Sequence, residues 1–205
     1  MTRSYALLLS GGLALSAIAQ TPTIIVQGSG APQVFNSFPA AVEAATASDI
    51  IYMSGGDFVL SETIFIDHEV HIVGAGIHPD SAALTLPTRI TGFEVRFMSP
   101  AANCTVTGVD FVSQMRYGDA LLDGQDVQNM LFQRCRFAQP LSGGGASGST
   151  TTFEQCVITR IYAFYSPHMA TFRNCLVYEA MAQTFNGFAF EHCTIMGINM
   201  QPSSN

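Results

Sequence analysis

The second half of the chain contains four copies of one motif: Phe132-Gln133-Arg134-Cys135, Phe153-Glu154-Gln155-Cys156, Phe172-Arg173-Asn174-Cys175 and Phe190-Glu191-His192-Cys193. Their cysteines are separated by 21, 19 and 18 residues. Two residues after each cysteine comes an apolar side chain, in order Phe137, Ile158, Val177 and Ile195. A single Phe-x-x-Cys carries little information, but four at a nearly constant spacing indicate a repeat protein.

Two weaker copies of the motif lie upstream. Val106-Thr107-Gly108-Val109-Asp110-Phe111 follows the pattern without the cysteine, and Ile72-Val73-Gly74-Ala75-Gly76 is a candidate sixth copy. Aligning Ala75 with Val109, and Val109 with Cys135, gives steps of 34 and 26 residues. We therefore expect the early repeats to carry insertions.

The repeats favour short β-strands, because they are rich in Phe, Val, Ile and Thr. A chain that makes one turn per ~20 residues stacks equivalent strands ~4.8 Å apart in parallel sheets. The cysteine and the apolar residue two positions later then share the inner face. The phenylalanine, three positions earlier, also points inward if the chain bends between the two, where Asn174 lies in one copy. This predicts a structural ladder of Phe132, Phe153, Phe172 and Phe190 with Cys135, Cys156, Cys175 and Cys193.

This pattern resembles the pectate-lyase-like superfamily of right-handed parallel β-helices over roughly Gln33 to Asn199. Phe38 to Ala45 reads as a short apolar helix, with Asn36 or Ser37 as a candidate cap, similar to the helix that closes the first coil in this family. The resemblance implies an all-β fold, a right-handed parallel β-helix (solenoid) of about six coils with a short N-terminal capping helix. The superfamily contains lyases, hydrolases and adhesins, so the fold alone does not assign an activity.

The N-terminus predicts export. Arg3 precedes an apolar run from Ala6 to Ala19 that ends in Ala17-Ile18-Ala19, the pattern of a signal-peptidase site. The run of about 14 residues is shorter than the ~20 needed to span a membrane, so we expect no membrane span after signal removal. The predicted organisation is a signal peptide (1–19), an N-terminal linker (20–32), the β-helix domain (33–199) and a polar tail (200–205), with the mature protein secreted or at the cell surface.

The composition narrows the choice of partner. The chain is 48% hydrophobic and 11% charged, and its net charge is −7. All eight basic residues are arginine. An acidic chain without a lysine-rich tract is a poor partner for nucleic acid or an anionic membrane surface. We therefore expect no nucleic-acid partner.

The catalytic motifs of related enzymes are missing or weak. Polygalacturonase-type sites carry Asn-x-Asp, Asp-Asp, Gly-His-Gly and Arg-x-Lys elements, and none occurs here. Resemblance to pectate lyases implies acidic calcium ligands and a basic residue that abstracts a proton. The densest acidic group is Asp119, Asp123 and Asp126, and Arg116 is the nearest base. These four are the candidate lyase residues, with Ca²⁺ as cofactor in that case; a solvated acidic turn is the commoner explanation, and otherwise we expect no cofactor and no metal.

The repeat register places opposite charges next to each other. Two positions before each cysteine the residues are Gln133, Glu154, Arg173 and Glu191, so Arg173 lies between two carboxylates. Arg160 is likewise aligned with Glu179. Such pairs stabilise neighbouring strands by about 1 kcal/mol or less, and they avoid stacking like charges. We interpret them as structural rather than as a Glu154/Glu191 acid pair.

The spacing of the cysteines is compatible with more than one chemical state of their sulfur atoms. Adjacent cysteines ~4.8 Å apart lie within disulfide range, but Cys also packs as a small apolar residue in a core. Cys104 lies outside the ladder. A stack of buried thiols, at least one disulfide, and a metal site are all compatible with the spacing, although neither Cys-x-x-Cys nor His-x-x-x-His is present.

These features lead to three functional expectations. The first is a non-catalytic module for binding extracellular polysaccharide or for surface attachment, with Tyr162, Phe164, Tyr165 and Tyr178 as aromatic residues that stack on sugars. The second is a calcium-dependent, pectate-lyase-like polysaccharide lyase. The third is the N-terminal part of a longer β-helix protein, because an open solenoid end exposes unpaired strand edges.

Overall fold

The computed structural model describes residues 21–77, 86–117, 127–143, 150–161, 169–181 and 188–199. The predicted signal peptide and polar tail lie outside these residues. In chain order the elements are β1 (Ile24–Gln27), β2 (Gln33–Phe35), α1 (Phe38–Ala44), β3 (Asp49–Met53), β4 (Gly56–Leu60), β5 (Ile64–Ile66), β6 (Val70–Val73), β7 (Thr88–Gly92), β8 (Val95–Phe97), a 3-10 turn (Ser99–Ala101), β9 (Thr105–Thr107), β10 (Val109–Phe111), β11 (Met115–Tyr117), β12 (Met130–Gln133), β13 (Arg136–Phe137), β14 (Ser142–Gly143), β15 (Thr150–Glu154), β16 (Val157–Ile161), β17 (Met169–Arg173), β18 (Leu176–Met181), β19 (Phe188–Glu191), β20 (Thr194–Ile195) and β21 (Ile198–Asn199). No helix among the described residues is long and apolar enough to cross a membrane.

The strands form three sheets. Sheet 1 has the order β19-β17-β15-β12-β9-β6-β3-β1-β2, sheet 2 the order β20-β18-β16-β13-β10-β7-β4 with β21 beside β18, and sheet 3 the order β14-β11-β8-β5. From β3 to β14 the chain visits sheets 1, 2 and 3 in turn, and the strands of successive passes pair in parallel. We call one such pass a repeat. This all-β, mostly parallel arrangement is compatible with a solenoid.

Sheet 1 receives one more pass than the motifs predicted. β3, β6, β9, β12, β15, β17 and β19 make seven passes, against about six expected from the sequence. The additional pass is β3, whose sequence contains neither the cysteine of the four strong motif copies nor the glycine of the two weaker ones.

The predicted ladder is confirmed in register and orientation. Phe132, Phe153, Phe172 and Phe190 pair in succession across sheet 1. Their rings stack nearly parallel, with centroids 5.2, 4.9 and 4.9 Å apart. The residues two positions after each cysteine pair in the same way across sheet 2 and form a second inner column. These two columns fill the space between the sheets.

A bend after each sheet-1 strand allows Phe and Cys to face the same interior. The residue before each cysteine adopts a left-handed backbone, with φ of 50° at Arg134, 54° at Gln155, 52° at Asn174 and 54° at His192. Gly108 occupies the same place one repeat earlier, with φ of 69°. The extra rotation offsets the strand alternation that would otherwise direct Phe outward. We call these five residues the corner row.

The described cysteines are free thiols. The Cys156 Sγ lies 3.4 Å from the Phe132 carbonyl oxygen of the preceding repeat, and the Cys175 Sγ lies 3.4 Å from that of Phe153. Burial raises the pKa of the Cys156 thiol well above its ordinary value. No disulfide joins the described cysteines, and each thiol donates to a backbone carbonyl, as expected for the stacked-thiol alternative.

Two early segments differ from the sequence prediction. β1 lies within the range predicted as a linker (20–32), yet it pairs antiparallel with β3 and buries Ile24 and Val26. The sheet-2 position equivalent to Val109 is occupied by Thr88, not Ala75, because residues 75–87 are inserted between β6 and β7. Thr88 is fully buried, and its hydroxyl accepts from the Ala75 N–H at 2.7 Å.

The helix α1 starts at Phe38, as predicted, and buries Phe38, Ala41 and Val42. Ser37 occupies the N-cap position, but its side chain makes no capping hydrogen bond. The helix contacts β1, β2 and β4. Apolar burial at the first repeat therefore holds it in place.

Candidate functional site

Most of the predicted lyase and sugar-stacking residues lie outside the described residues, namely Asp119, Asp123, Asp126, Tyr162, Phe164 and Tyr165. Arg116 is described, and its Nε lies 2.9 Å from one carboxylate oxygen of Glu94. The other oxygen of Glu94 is 2.9 Å from the Arg96 Nε. A guanidinium paired with a carboxylate in this way is poorly suited to abstract a proton from a substrate.

Tyr178 is the described member of the predicted aromatic set. It is 47% exposed on the outer face of sheet 2. Its neighbour Glu179 pairs with Arg160 at 2.7 Å, as the register predicted. The ring is accessible to a ligand, and it lies beside a neutralised charge pair.

The predicted charge row on sheet 1 is confirmed. The Gln133 Nε2 donates to Glu154 at 2.8 Å, and the other oxygen of Glu154 lies 3.6 Å from Arg173. The Arg173 Nε donates to Glu191 at 2.8 Å, and this bond raises the pKa of Arg173 above its ordinary value. Each described carboxylate of the row thus has a partner. Arg173 lies between Glu154 and Glu191 and is close to both.

A second charge row, on sheet 2, was missed by the sequence reasoning. Asp57, Arg89, Asp110 and Arg136 pair in register on neighbouring strands. Asp110 is buried, 3.6 Å from the Arg89 Nε and 3.3 Å from the Arg136 Nε. Burial raises its pKa, while the two arginines oppose that shift. The residues are 32, 21 and 26 positions apart, so insertions hid the regular register in the sequence.

The corner row is the third polar feature, because its four residues after Gly108 expose polar side chains to solvent. The Arg134, Gln155 and Asn174 N–H groups each donate to a carbonyl of the following repeat at 2.9 Å. Their side chains, and that of His192, are exposed. Because the backbone is satisfied within the stack, these side chains are free to contact a ligand. In the sequence, these four residues occupy the second variable position of the Phe-x-x-Cys motifs, directly before each cysteine.

A surface cavity opens where the corner row begins. It has a volume of about 490 Å³. We call it the corner groove, and it is lined by Val73, Gly74, Ala75, Gly76, Ile77, Thr107, Gly108, Arg134 and Gln155. Gly74 and Gly108 bring two repeats close together, since a Cβ on Gly74 would lie 2.5 Å from the Gly108 carbonyl oxygen. The lining thus combines three glycines with two long polar residues, Arg134 and Gln155.

The comparisons with known proteins add no family assignment. No protein-family model, curated protein sequence or solved structure matches the chain. Within the described part of the chain, no three His, Cys, Asp or Glu side chains are grouped so as to hold a metal ion. The candidate site therefore rests on the corner groove and the rows beside it.

Proposed function

We propose that the strand stack is a right-handed parallel β-helix of the pectate-lyase-like type. We further propose that the protein is a secreted, non-catalytic module that binds extracellular polysaccharide. The repeated order of the three sheets and the helix at the first repeat support the fold. The arrangement of the exposed polar side chains supports the function.

The corner row is the observation that carries this proposal. Arg134, Gln155, Asn174 and His192 project guanidinium, amide and imidazole groups from successive repeats. Strands of one sheet are ~4.8 Å apart, so the groups form a straight, regularly spaced line. An extended polymer meets such a line at many points. A small, globular ligand would use only one or two of them.

The charged groups favour binding over catalysis. Glu154 and Glu191 share Arg173, Glu94 is held between Arg96 and Arg116, and Asp110 is held between Arg89 and Arg136. A general acid needs a proton near neutral pH, and a neighbouring arginine stabilises the ionised carboxylate instead. These four carboxylates are therefore better suited to holding the strands together.

The proposal can be tested with the protein from Gln20 to Asn205 in affinity gels containing neutral or acidic polysaccharide. Gln155→Gly and Asn174→Gly remove side chains from the corner row, and glycine suits their positive φ, as Gly108 does. We expect the double variant to lose retention at least about tenfold, because two side-chain hydrogen bonds are removed. The matched control is Asn129→Gly, which alters a residue with φ of 56° before β12.

Two results would count against this function. Equal retention of the double variant and the Asn129→Gly control would remove the corner row as the binding surface. Unsaturated sugar product formed only with Ca²⁺, and lost in Asp123→Ala, would show a lyase instead.

A further inference from the structure

Arg134 is unusual among the described arginines. Arg89, Arg96, Arg116, Arg136, Arg160 and Arg173 each have a carboxylate oxygen within 3.6 Å. Arg134 has no carboxylate within 4.0 Å in the part of the chain that the structure describes. Its guanidinium is exposed at the edge of the corner groove.

The acids in the adjoining rows are already engaged. On the sheet-1 side, Glu154 accepts from Gln133 and faces Arg173. On the sheet-2 side, Asp110 lies between Arg89 and Arg136. Neither carboxylate is placed to neutralise Arg134, so among the described residues no acid occupies its five N–H donors.

The backbone at Arg134 does not favour an arginine either. Its φ of 50° is a left-handed conformation that suits glycine, which the preceding repeat has at Gly108. The repeat geometry imposes this conformation at the corner, but it does not require a long cationic side chain. An unfavourable backbone combined with an unpaired charge at a cavity is a reason to look for a function.

We propose that Arg134 and Gln155 bind an anionic oxygen group, carboxylate or sulfate, on a sugar seated in the corner groove. This inference rests on the proposed polysaccharide-binding function and adds the chemistry of one subsite. A guanidinium binds such a group through two parallel hydrogen bonds. The volume of about 490 Å³ is within the range for a small ligand, and Val73, Ala75 and Ile77 give it apolar lining for a sugar ring.

The charge of the chain sets a further condition on the ligand. With a net charge of −7, the protein repels a polyanion at long range. The site therefore fits a glycan with isolated anionic groups among neutral sugars better than it fits a continuous polyanion.

A matched series of three sugars tests this subsite: the methyl glycosides of galactose, galactose 6-sulfate and galacturonic acid, titrated by calorimetry or NMR. These differ only at one carbon and separate sulfate from carboxylate. We expect at least one anionic sugar to bind about tenfold or more tightly than the neutral one, because a charge-assisted hydrogen bond is added. Arg134→Gly should remove that preference, and Arg134→Lys should retain part of it.

The controls separate this inference from the proposed function. Arg160→Gln removes one positive charge outside the groove and should keep the preference, and thermal melts confirm that each variant is folded. If Arg134→Gly retains the preference for the anionic sugar, or if the wild type never shows one while polysaccharide retention persists, the subsite is wrong and the binding function stands. If the wild type binds no sugar and no polysaccharide, both proposals are wrong.

Discussion

The two ends of the strand stack differ although they are built from the same kinds of residue. At the N-terminal end, α1 and the antiparallel strand β1 cover the first repeat, and Ile24 and Phe38 are at most 1% exposed. At the C-terminal end of the described residues, β19 and β20 are the outermost strands of their sheets. There Phe188, Phe190, Cys193 and Ile195 are only partly buried.

This difference shows that a position in the stack, not residue type, determines burial. Phe172 and Phe190 belong to the same column, and their rings are 4.9 Å apart. Phe172 has a ring on both sides and is fully buried, while Phe190 has a ring on one side. A repeat that is stacked on one side only loses part of the stabilisation that the same sequence provides inside the stack.

The largest expected effect comes from replacing a phenylalanine of the column with alanine, in one variant inside the stack (Phe172) and in another at its end (Phe190). Phe172→Ala should lower the free energy of unfolding by about 3–5 kcal/mol, because it leaves a cavity between two rings. Phe190→Ala should cost roughly half as much, because less apolar surface is buried there. Urea denaturation of the two variants measures the contrast. Equal losses would mean that the C-terminal end is covered as well as the interior.

The next largest effect concerns the buried thiol of Cys104, which directly precedes β9. Burial is the main cause that raises the pKa of Cys104 from 9.0 to about 12. The folded state therefore holds this proton more tightly than the unfolded state, and its contribution to stability is present below pH 9 and is lost as the pH rises towards 12. Over that range we expect a loss of a few kcal/mol, since one pKa unit is about 1.4 kcal/mol.

The Cys104→Ala variant tests this contribution. It should lose less stability than the wild type between pH 9 and pH 12, as measured by denaturation at several pH values. Cys193→Ala, at the partly exposed end, is the matched control and should follow the wild type more closely. An identical pH profile in Cys104→Ala and the wild type would contradict a buried, protonated Cys104.

The smallest expected effect is the alkylation of Cys193. Cys193 is partly exposed, whereas Cys104, Cys135, Cys156 and Cys175 are buried. With a small alkylating reagent on the native protein, mass spectrometry should find Cys193 labelled first and the other four labelled only with unfolding. The modified protein should keep its stability to within about 1 kcal/mol, as expected at a partly exposed site. Early labelling of Cys156 would indicate that the stack opens internally.

The sequence predicted the regular part of the fold because, where the repeat has a nearly constant length, residues one period apart are also paired on neighbouring strands. Phe-x-x-Cys gave the two inner columns, the bend at Asn174, and the pairs Arg173–Glu191 and Arg160–Glu179, all of which the structure contains. Where insertions change the period, the same reasoning failed. Ala75 was aligned in place of Thr88, and the row from Asp57 to Arg136 was not found.

The site was less predictable than the fold. The sequence identified acids and aromatics by clustering along the chain, yet the corner groove joins residues from four successive repeats that are up to 82 positions apart, Val73 to Gln155. Its shape depends on the missing side chains of Gly74 and Gly108. Its charge depends on Arg134, which has no carboxylate partner among the described residues, unlike the other described arginines. Neither property is visible in a linear pattern.

The sequence alone therefore determined which side chains face inward, because a repeated period places like residues on one face of every strand. Only the tertiary structure decided which repeats are covered, which charges are neutralised, and where the surface is open. Those properties depend on which residues are neighbours in the stack. Insertions change the number of residues between two such neighbours, so the sequence does not reveal which residues meet.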